Sequence, residues 1–163
     1  MKKAFTMIEL IFVIVILGIL ASVAIPRLAA TREDAEISAT VANLRTLVSD
    51  ANAYYVAKGN FNGAKWKDIT NVPLTKNGGV PITTDELATQ EGFLYVGGTR
   101  CIDVALHDRL GSIPARIQFY TQNPKASDLC KQILAAEPIK AYTESKVGSL
   151  PNTMAIGSST KIY

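Results

Sequence analysis

The stretch from Leu10 to Ile25 reads LIFVIVILGILASVAI and lies near the start of a chain of 163 residues. The apolar character extends back to Phe5, and the 21 residues from Phe5 to Ile25 contain few exceptions: Thr6, Glu9, Gly18 and Ser22. Because an α-helix rises 1.5 Å per residue, this segment spans roughly 31 Å, the thickness of the hydrocarbon core of a bilayer. The sequence therefore predicts a transmembrane helix over residues 5–25.

The composition of the chain indicates one folded domain attached to this segment. Hydrophobic residues make up 48% and charged residues 19%, a balance that argues against intrinsic disorder. The net charge is only +3, without the concentrated basic stripe typical of a nucleic-acid-binding protein. A mean hydropathy above zero is unusual for a soluble domain, and the apolar segment accounts for it. We therefore expect a membrane protein that does not bind nucleic acid.

The residues that flank the apolar segment predict its orientation. Lys2 and Lys3 precede it, so the positive-inside rule places the amino terminus in the cytoplasm and the rest of the chain outside it. Arg27 and Arg32 weigh against this orientation, although acidic neighbours offset them. A secretory signal peptide usually has an apolar core of about 7–15 residues, which is shorter than this one. A plain amino-terminal anchor is an open alternative.

Neither alternative accounts for Glu9. A carboxylate inside a spanning segment costs a few kcal/mol, and such a residue suggests a function, although a residue near the membrane surface can also extend its side chain to the interface. The surrounding sequence is Lys2-Lys3-Ala4-Phe5-Thr6-Met7-Ile8-Glu9-Leu10. It combines a short basic leader, a small residue, an aromatic residue and an acid four residues further on.

This segment resembles the class III signal of type IV pilins and pseudopilins, which assemble into helical filaments. The resemblance implies that residues 1–4 are a leader, that a prepilin peptidase cuts between Ala4 and Phe5, and that the new amino terminus of Phe5 is methylated. Ala4 stands where the family usually has glycine. The family's acid falls on Glu9, and its proline at the end of the apolar stretch falls on Pro26.

The resemblance also implies partners and a fold. The partners are related pilin subunits, the prepilin peptidase and methyltransferase, and an inner-membrane assembly platform served by a separate ATPase. The fold is α+β and pilin-like, with a long amino-terminal helix packed on a small antiparallel sheet. The physics of the segment fits assembly, because the Glu9 carboxylate could neutralise the amine of Phe5 at low dielectric. Such a buried charge can fix the axial register between subunits.

The sequence after the apolar segment predicts that the helix continues. Apolar residues recur at helical spacing on one face, and Gly59-Asn60 provides a stop signal. We therefore expect an amphipathic helix over residues 26–58, with a kink at Pro26 because proline cannot bond to the carbonyl of Ser22. The apolar face should pack on the chain's own globular domain. Its members are Ile37, Val41, Leu44, Val48, Ala51 and Tyr55.

Residues 59–163 are predicted to form an extracytoplasmic α+β head. Three strands with β-branched and aromatic residues are bounded by Gly and Pro, and we expect them to form an antiparallel sheet. They are Phe93–Val96, Arg100–His107 and Ala115–Thr121. A short helical turn is expected at Ala64–Ile69. Two helices are expected as well: one capped by Thr83 and running to Gln90, and one capped by Ser127 that runs to Ala136 and stops near Pro138.

The two cysteines, Cys101 and Cys130, lie on a predicted strand and a predicted helix. In an exported protein we expect them to pair, and closing a loop of this length adds about 3.6 kcal/mol on a chain-entropy estimate. Two unpaired buried thiols are the alternative. A zinc site is not expected, because His107 is the only histidine and there is no Cys-x-x-Cys motif. The sequence predicts neither a metal nor a cofactor.

The sequence offers no clear catalytic site. It has no phosphate-binding loop and no Gly-x-Ser-x-Gly elbow. Asp103, His107 and Ser112 could be considered as a triad, but His107 belongs to the off-core phase of its strand. Lys65-Trp66-Lys67 could suggest a nucleic-acid contact, although a packed tryptophan in a solvated turn is the simpler interpretation.

Major secretion pseudopilins often carry an acidic calcium-binding loop near the carboxyl terminus. Between Pro138 and Tyr163 the sole acid is Glu144, so the oxygen ligands for calcium are missing. The missing ligands argue against a major pseudopilin and leave a pilin or a minor pseudopilin. From the amino-terminal segment we expect a non-enzymatic filament subunit. The alternatives are a membrane-anchored binding module with a passive helical stalk and, less favoured, an anchored hydrolase. The sequence leaves open whether the filament serves adhesion and motility, secretion or DNA uptake.

Overall fold

The computed structural model describes residues 5–76, 79–82, 87–88, 91–121 and 127–157. The chain divides into two compact units, Met1–Glu36 and Ile37–Tyr163. Helix α1, Met7–Lys58, contributes to both. In the first unit, every residue from 5 to 25 is exposed, and Met7–Ile25 is long and apolar enough to cross a membrane.

Local interactions fix both ends of α1. At the start, Thr6 and Glu9 exchange hydrogen bonds. At the end, Gly59 adopts a positive φ of 81°, and its N–H donates to the carbonyl of Tyr55 at 2.7 Å. Glycine adopts this left-handed conformation without a steric penalty, which is why it commonly follows a helix. The predicted stop at Gly59 is therefore confirmed.

The backbone of residue 26 lies within α1, so Pro26 does not end the helix. Four residues earlier, the Ser22 hydroxyl donates to the carbonyl of Ile19 at 2.7 Å. The side chain of Pro26 lies outside the described part of the chain, and the kink stays a prediction.

The second unit contains an antiparallel sheet with the strand order β2-β1-β3-β4-β5-β8 in the described part of the chain. Its centre is the meander β3-β4-β5, in which Val104 pairs with Phe119 and Ile102 with Leu94. A separate hairpin, β6-β7, lies outside this sheet. The strands are β1 Thr75–Lys76, β2 Val80–Pro81, β3 Gly92–Val96, β4 Thr99–His107, β5 Arg116–Tyr120, β6 Lys146–Val147, β7 Leu150–Pro151 and β8 Thr153–Ala155.

The core of this unit lies between α1 and one face of the sheet. The α1 side chains Leu44, Leu47 and Ala51 are fully buried in one cluster with strand residues. The strand residues alternate along β4 and β5, as expected for a sheet with one buried face: Ile102, Val104, Leu106, Ile117 and Phe119. The predicted amphipathic face of α1 is therefore confirmed, and the α+β fold class with it.

Short helices complete the core. They are α2 Trp66–Ile69, α3 Asp128–Ala135 and α4 Glu137–Thr143. The Ser127 hydroxyl caps α3 by accepting the N–H of Cys130 at 3.3 Å, as the sequence predicted. On α4, Tyr142 packs edge-to-face on Phe119 with ring centroids 6.0 Å apart.

The structure corrects several details of the predicted head. Pro138 lies in the first turn of α4 rather than beyond the last helix, because proline fits a first turn, where its missing N–H has no partner to lose. The short strands β1, β2 and β6–β8 were not predicted. Most of the helix predicted from Thr83 to Gln90 lies outside the described residues. Leu87 itself forms an isolated antiparallel bridge with Lys65 instead.

Candidate functional site in the amino-terminal segment

The candidate site begins with the first turn of α1. The Glu9 carboxylate oxygen Oε2 accepts the backbone N–H of Thr6 at 2.9 Å and the hydroxyl of Thr6 at 2.7 Å. In return, the Thr6 Oγ1 accepts the N–H of Glu9 at 3.3 Å. This reciprocal arrangement is a capping box, which satisfies backbone donors that a helix start otherwise leaves without partners.

The capping box changes the energetic role of Glu9. Its carboxylate accepts hydrogen bonds from its own helix and lies at the amino-terminal end, where the helix dipole favours a negative charge. The acid is therefore partly compensated in the isolated chain. Oxygen Oε1 makes no hydrogen bond in the described part of the chain and leaves acceptor capacity for a second donor.

The spacing Thr6-x-x-Glu9 fits the capping-box pattern, and sequence analysis missed it. The signal was available in the four residues themselves.

Around this turn the helix surface is apolar and exposed. Phe5 is 84% exposed, and the side chains after it are exposed up to Ile25. Ala4, on the other side of the predicted cut, lies outside the described residues, as does the rest of the leader. An apolar surface of this size requires lipid or other protein around it.

Charged residues follow the apolar segment within a few turns. Arg32 pairs with Glu36, its Nε lying 3.1 Å from the Glu36 Oε1. Arg27 and Asp34 are exposed nearby. Such a change from apolar to charged side chains is typical of the end of a membrane span.

The disulfide lies in the other unit. It joins Cys101 of β4 to Cys130 of α3, with 5.5 Å between the Cα atoms, and both residues are buried. A register shift makes this possible: Leu94 pairs with Ile102 but Tyr95 pairs with Arg100, so Cys101 is an extra residue in β4. Such a β-bulge redirects side chains, and it allows Cys101 to join the core cluster with Ile102.

The same bulge places Arg100 on the opposite face of the sheet. Its guanidinium lies 3.5 Å from the centroid of the Phe93 ring and pairs with Asp103. Phe93 and Ala105 are buried on that face without belonging to the core cluster. This ion pair is a structural feature of the sheet.

The residues considered for catalysis do not assemble. Asp103 and His107 are four residues apart on one strand, about 13 Å along it, and the Asp103 carboxylate is paired with Arg100. Ser112 lies in the exposed turn after β4. In the part of the chain that the structure describes, no group of three or more His, Cys, Asp or Glu side chains could hold a metal ion.

The structure also argues against a nucleic-acid contact at Lys65-Trp66-Lys67, because the Trp66 ring is buried. Trp66 is 1% exposed and belongs to the core cluster. An indole that is buried in this way cannot stack on a nucleobase, which is what aromatic residues do in single-strand binding.

Comparison with known families decides the identity of the amino-terminal segment. Residues 1–25 match the model of the prokaryotic N-terminal methylation motif. The chain carries the class III signal of type IV pilins and pseudopilins. The motif supports a membrane-anchored, type IV pilin-like precursor and implies processing by prepilin peptidase and pilin assembly. Proteins with this motif are structural rather than enzymatic. Comparisons with curated proteins and with solved structures gave no match.

Proposed function

We propose that the chain is the structural subunit of a type IV pilus-like filament, either a pilin or a pseudopilin. The observation that carries this proposal is the combination of the methylation motif with an exposed apolar helix that is long enough to cross a membrane. A passive anchor would need the apolar surface but neither the processing motif nor an acid at Glu9.

Each segment of the chain has a role in the proposed insertion and processing of the subunit. The chain inserts with its amino terminus in the cytoplasm, as Lys2 and Lys3 favour. The peptidase then removes residues 1–4 and methylates Phe5. The head, residues 59–163, waits in the periplasm or outside the cell while residues 5–25 remain in the inner membrane. Residues 26–58 connect the two.

Assembly then proceeds through the helix, on a membrane platform with a separate ATPase. The described residues show no phosphate-binding loop, so the energy must come from such a partner. Glu9 and the amine of Phe5 set the axial register, and a kink at Pro26 lets the helix adjust its packing in the filament. In the described part of the head, Asp103, His107 and Ser112 do not assemble into a catalytic group. The subunit acts structurally, in adhesion and motility, protein secretion or DNA uptake.

The capping box sharpens the proposed role of Glu9. In a free subunit the carboxylate is held by Thr6, so membrane residence is tolerated. In the filament, the amine of a neighbouring Phe5 supplies a full charge, which strengthens a hydrogen bond roughly twofold over a neutral donor. The Glu9 carboxylate is therefore bound more strongly in the filament than in the free subunit, and this gain in free energy favours docking in the correct register.

The test replaces Glu9 with Gln, which keeps the size and the hydrogen-bonding capacity of the side chain and removes the charge. We expect Glu9→Gln subunits to be inserted and processed but to give at least tenfold fewer sheared filaments, because a charge-assisted interaction of about 1.5–3 kcal/mol is lost. Glu33→Gln is the matched control, since Glu33 lies beyond the apolar segment, and its filament yield should stay unchanged. Filaments of normal yield and unchanged axial rise from Glu9→Gln would refute the role of Glu9.

A further inference from the structure

A cleft in the second unit lies at the end of α1. It has a volume of about 250 Å³ and is built by three parts of the chain. Tyr55 comes from the last turn of α1, Arg109, Ser112 and Pro114 come from the connection between β4 and β5, and Ile156 and Gly157 follow β8. Nothing in the proposed filament function uses this cleft.

Hydrogen bonds between distant parts of the chain hold the walls together. The N–H of Gly157 donates to the side chain of Asn52 at 2.9 Å. The N–H of Ile156 donates to the carbonyl of Ala115 at 2.7 Å. These bonds join the residues after β8 to α1 and to the residue before β5. The cleft is therefore preformed, which is usual for small-molecule sites.

Gly157 keeps one wall of the cleft open. Its φ is +71°, and a Cβ at this position would lie 2.8 Å from Cδ1 of the Tyr55 ring. Any other residue would therefore meet the ring and require a strained backbone. The absence of a side chain leaves the aromatic ring as part of the lining.

The lining combines an apolar interior with a cationic rim. Tyr55, Pro114 and Ile156 provide aromatic and aliphatic surface. At the rim, the exposed Arg109 makes one weak hydrogen bond, from Nε to the carbonyl of Gly111 at 3.4 Å. In the described part of the chain its guanidinium has no carboxylate partner. The adjacent acid, Asp108, accepts the N–H of Phe61 at 2.6 Å instead.

We propose that this cleft binds a small apolar carboxylate, with the carboxylate on the Arg109 guanidinium and the apolar body against the Tyr55 ring, Pro114 and Ile156. Guanidinium and carboxylate match each other in geometry and can form two parallel hydrogen bonds. The Ser112 hydroxyl lies at the same rim and can donate a further bond. The volume is slightly below that of sites for drug-sized molecules, so the body is about the size of one large side chain. A free organic acid and the last residue of a peptide share this chemistry.

The test uses the full-length protein in lipid nanodiscs and phenylacetate as the probe, followed by ligand-observed NMR, with empty nanodiscs to subtract partition into lipid. Phenylacetamide has the same shape without the charge. We expect phenylacetate to bind saturably and at least about tenfold more tightly than the amide, because a charge-assisted hydrogen bond is stronger than a neutral one. Equal affinities for acid and amide, or no saturable binding of the acid, would overturn the proposal.

Variants locate the site. Arg109→Gln should weaken phenylacetate binding at least tenfold, while Arg45→Gln, which removes another exposed arginine from the middle of α1, should leave binding unchanged. Equal binding by the two variants would contradict the assignment to this cleft. Both residues are exposed, so both variants should fold, and their thermal unfolding is measured alongside.

A second pair of probes identifies the source of the carboxylate. N-acetylphenylalanine carries the carboxylate as a peptide terminus does. If it competes with phenylacetate and its amide does not, the cleft accepts peptide carboxyl termini. If it fails to compete while phenylacetate binds in an Arg109-dependent manner, the cleft selects free organic acids. Failure of all these probes would leave the filament proposal untouched, since that proposal rests on residues 5–25.

Discussion

Thr6 and Glu9 form a capping box at the start of an apolar helix. The carboxylate caps its own helix through both the N–H and the hydroxyl of Thr6. A charge that is costly in a membrane is thereby compensated locally. On the proposed function, the remaining acceptor capacity would serve a partner subunit.

The Thr6 side chain therefore stabilises the first turn of α1. We expect Thr6→Ala to destabilise this turn by about 1 kcal/mol, the usual cost of losing a cap. Amide hydrogen exchange at Met7–Leu10 in nanodiscs should become about fivefold faster, and Thr6→Ser, which keeps the hydroxyl, should restore the slow exchange. Identical exchange in Thr6→Ala and the native protein would show that the capping box is not maintained in lipid.

His107 is a second residue with a measurable electrostatic signature. Burial lowers its pKa below the ordinary value, and the positive charge of Arg116 lowers it further, while Gln118 acts in the opposite direction. Arg116 lies directly opposite His107 in the β4–β5 pairing. Within the described part of the chain, the Nε2 of His107 and the Nε of Arg116 are both buried without a hydrogen-bond partner.

The lowered pKa predicts how stability depends on pH. The unfolded chain binds a proton at His107 near pH 6.5, whereas the folded chain does so only at lower pH. The contribution of His107 to stability is therefore complete above about pH 6.5 and is lost as the pH falls through the folded-state pKa. Because His107 is the sole histidine, its imidazole NMR signal reports that pKa directly. His107→Gln should remove this part of the pH dependence, and a folded-state pKa at or above 6.5 would contradict the prediction.

At the scale of elements, α1 changes its environment along its length. Up to Ile25 its side chains are exposed, and in the second unit Leu44, Leu47 and Ala51 are fully buried. Apolar residues on every side of the helix predict the exposed part, because lipid or neighbouring subunits can surround it. Apolar residues on one face predict the buried part, because a helix that packs on a sheet buries a single stripe of side chains.

Leu44 tests the buried part of α1. Leu44→Ala should lower the free energy of unfolding of the head by about 2–5 kcal/mol, the usual cost of a cavity in a core. Val56→Ala removes a side chain that is 70% exposed and should change the free energy by less than about 0.5 kcal/mol. The fluorescence of Trp66, the sole tryptophan, reports unfolding because its ring is buried. Equal effects of the two substitutions would show that α1 does not pack on the sheet.

Sequence patterns predict some elements better than others for physical reasons. The three long strands and α3 carry clear periodicity, turn residues and a serine cap, so their positions follow from local rules. The strands β6, β7 and β8 have two or three residues each, too few for a period to show. Their pairing depends on tertiary contacts, such as the bond from the N–H of Val147 to the hydroxyl of Thr153 at 3.0 Å.

Two residues illustrate where local rules misled. In a sequence, Pro138 can mark either the end of one helix or the first turn of the next. In the structure, Ala136 separates α3 from α4, and Pro138 lies in the first turn of α4. Strict alternation along β4 would place Cys101 on the face of Asp103 and His107, away from the core. The bulge, in which Cys101 is the extra residue of β4, reverses this, and the sequence carries no clear sign of it. The disulfide partner could be predicted because the chain has two cysteines.

At the scale of the whole molecule, the chain combines a helix that carries the methylation motif with a head that contains a disulfide. The amino-terminal residues explain two features of the composition. Lys2 and Lys3 account for two of the three excess positive charges, and they would leave with the leader. The apolar segment accounts for the high mean hydropathy. Without these residues, the head has the composition of an ordinary small domain.

The central claim is that the chain is processed as a filament subunit, and mass spectrometry of the membrane-extracted protein tests it most directly. We expect the mature protein to lack Met1–Ala4, to begin at Phe5 and to carry one additional methyl group on the amino terminus. Ala4→Gly, which introduces the residue that the family usually has before the cut, should give the same product. A chain that retains Met1–Ala4 would contradict the account and support a passive anchor, and cleavage after the apolar segment would contradict it by indicating a secretory signal peptide.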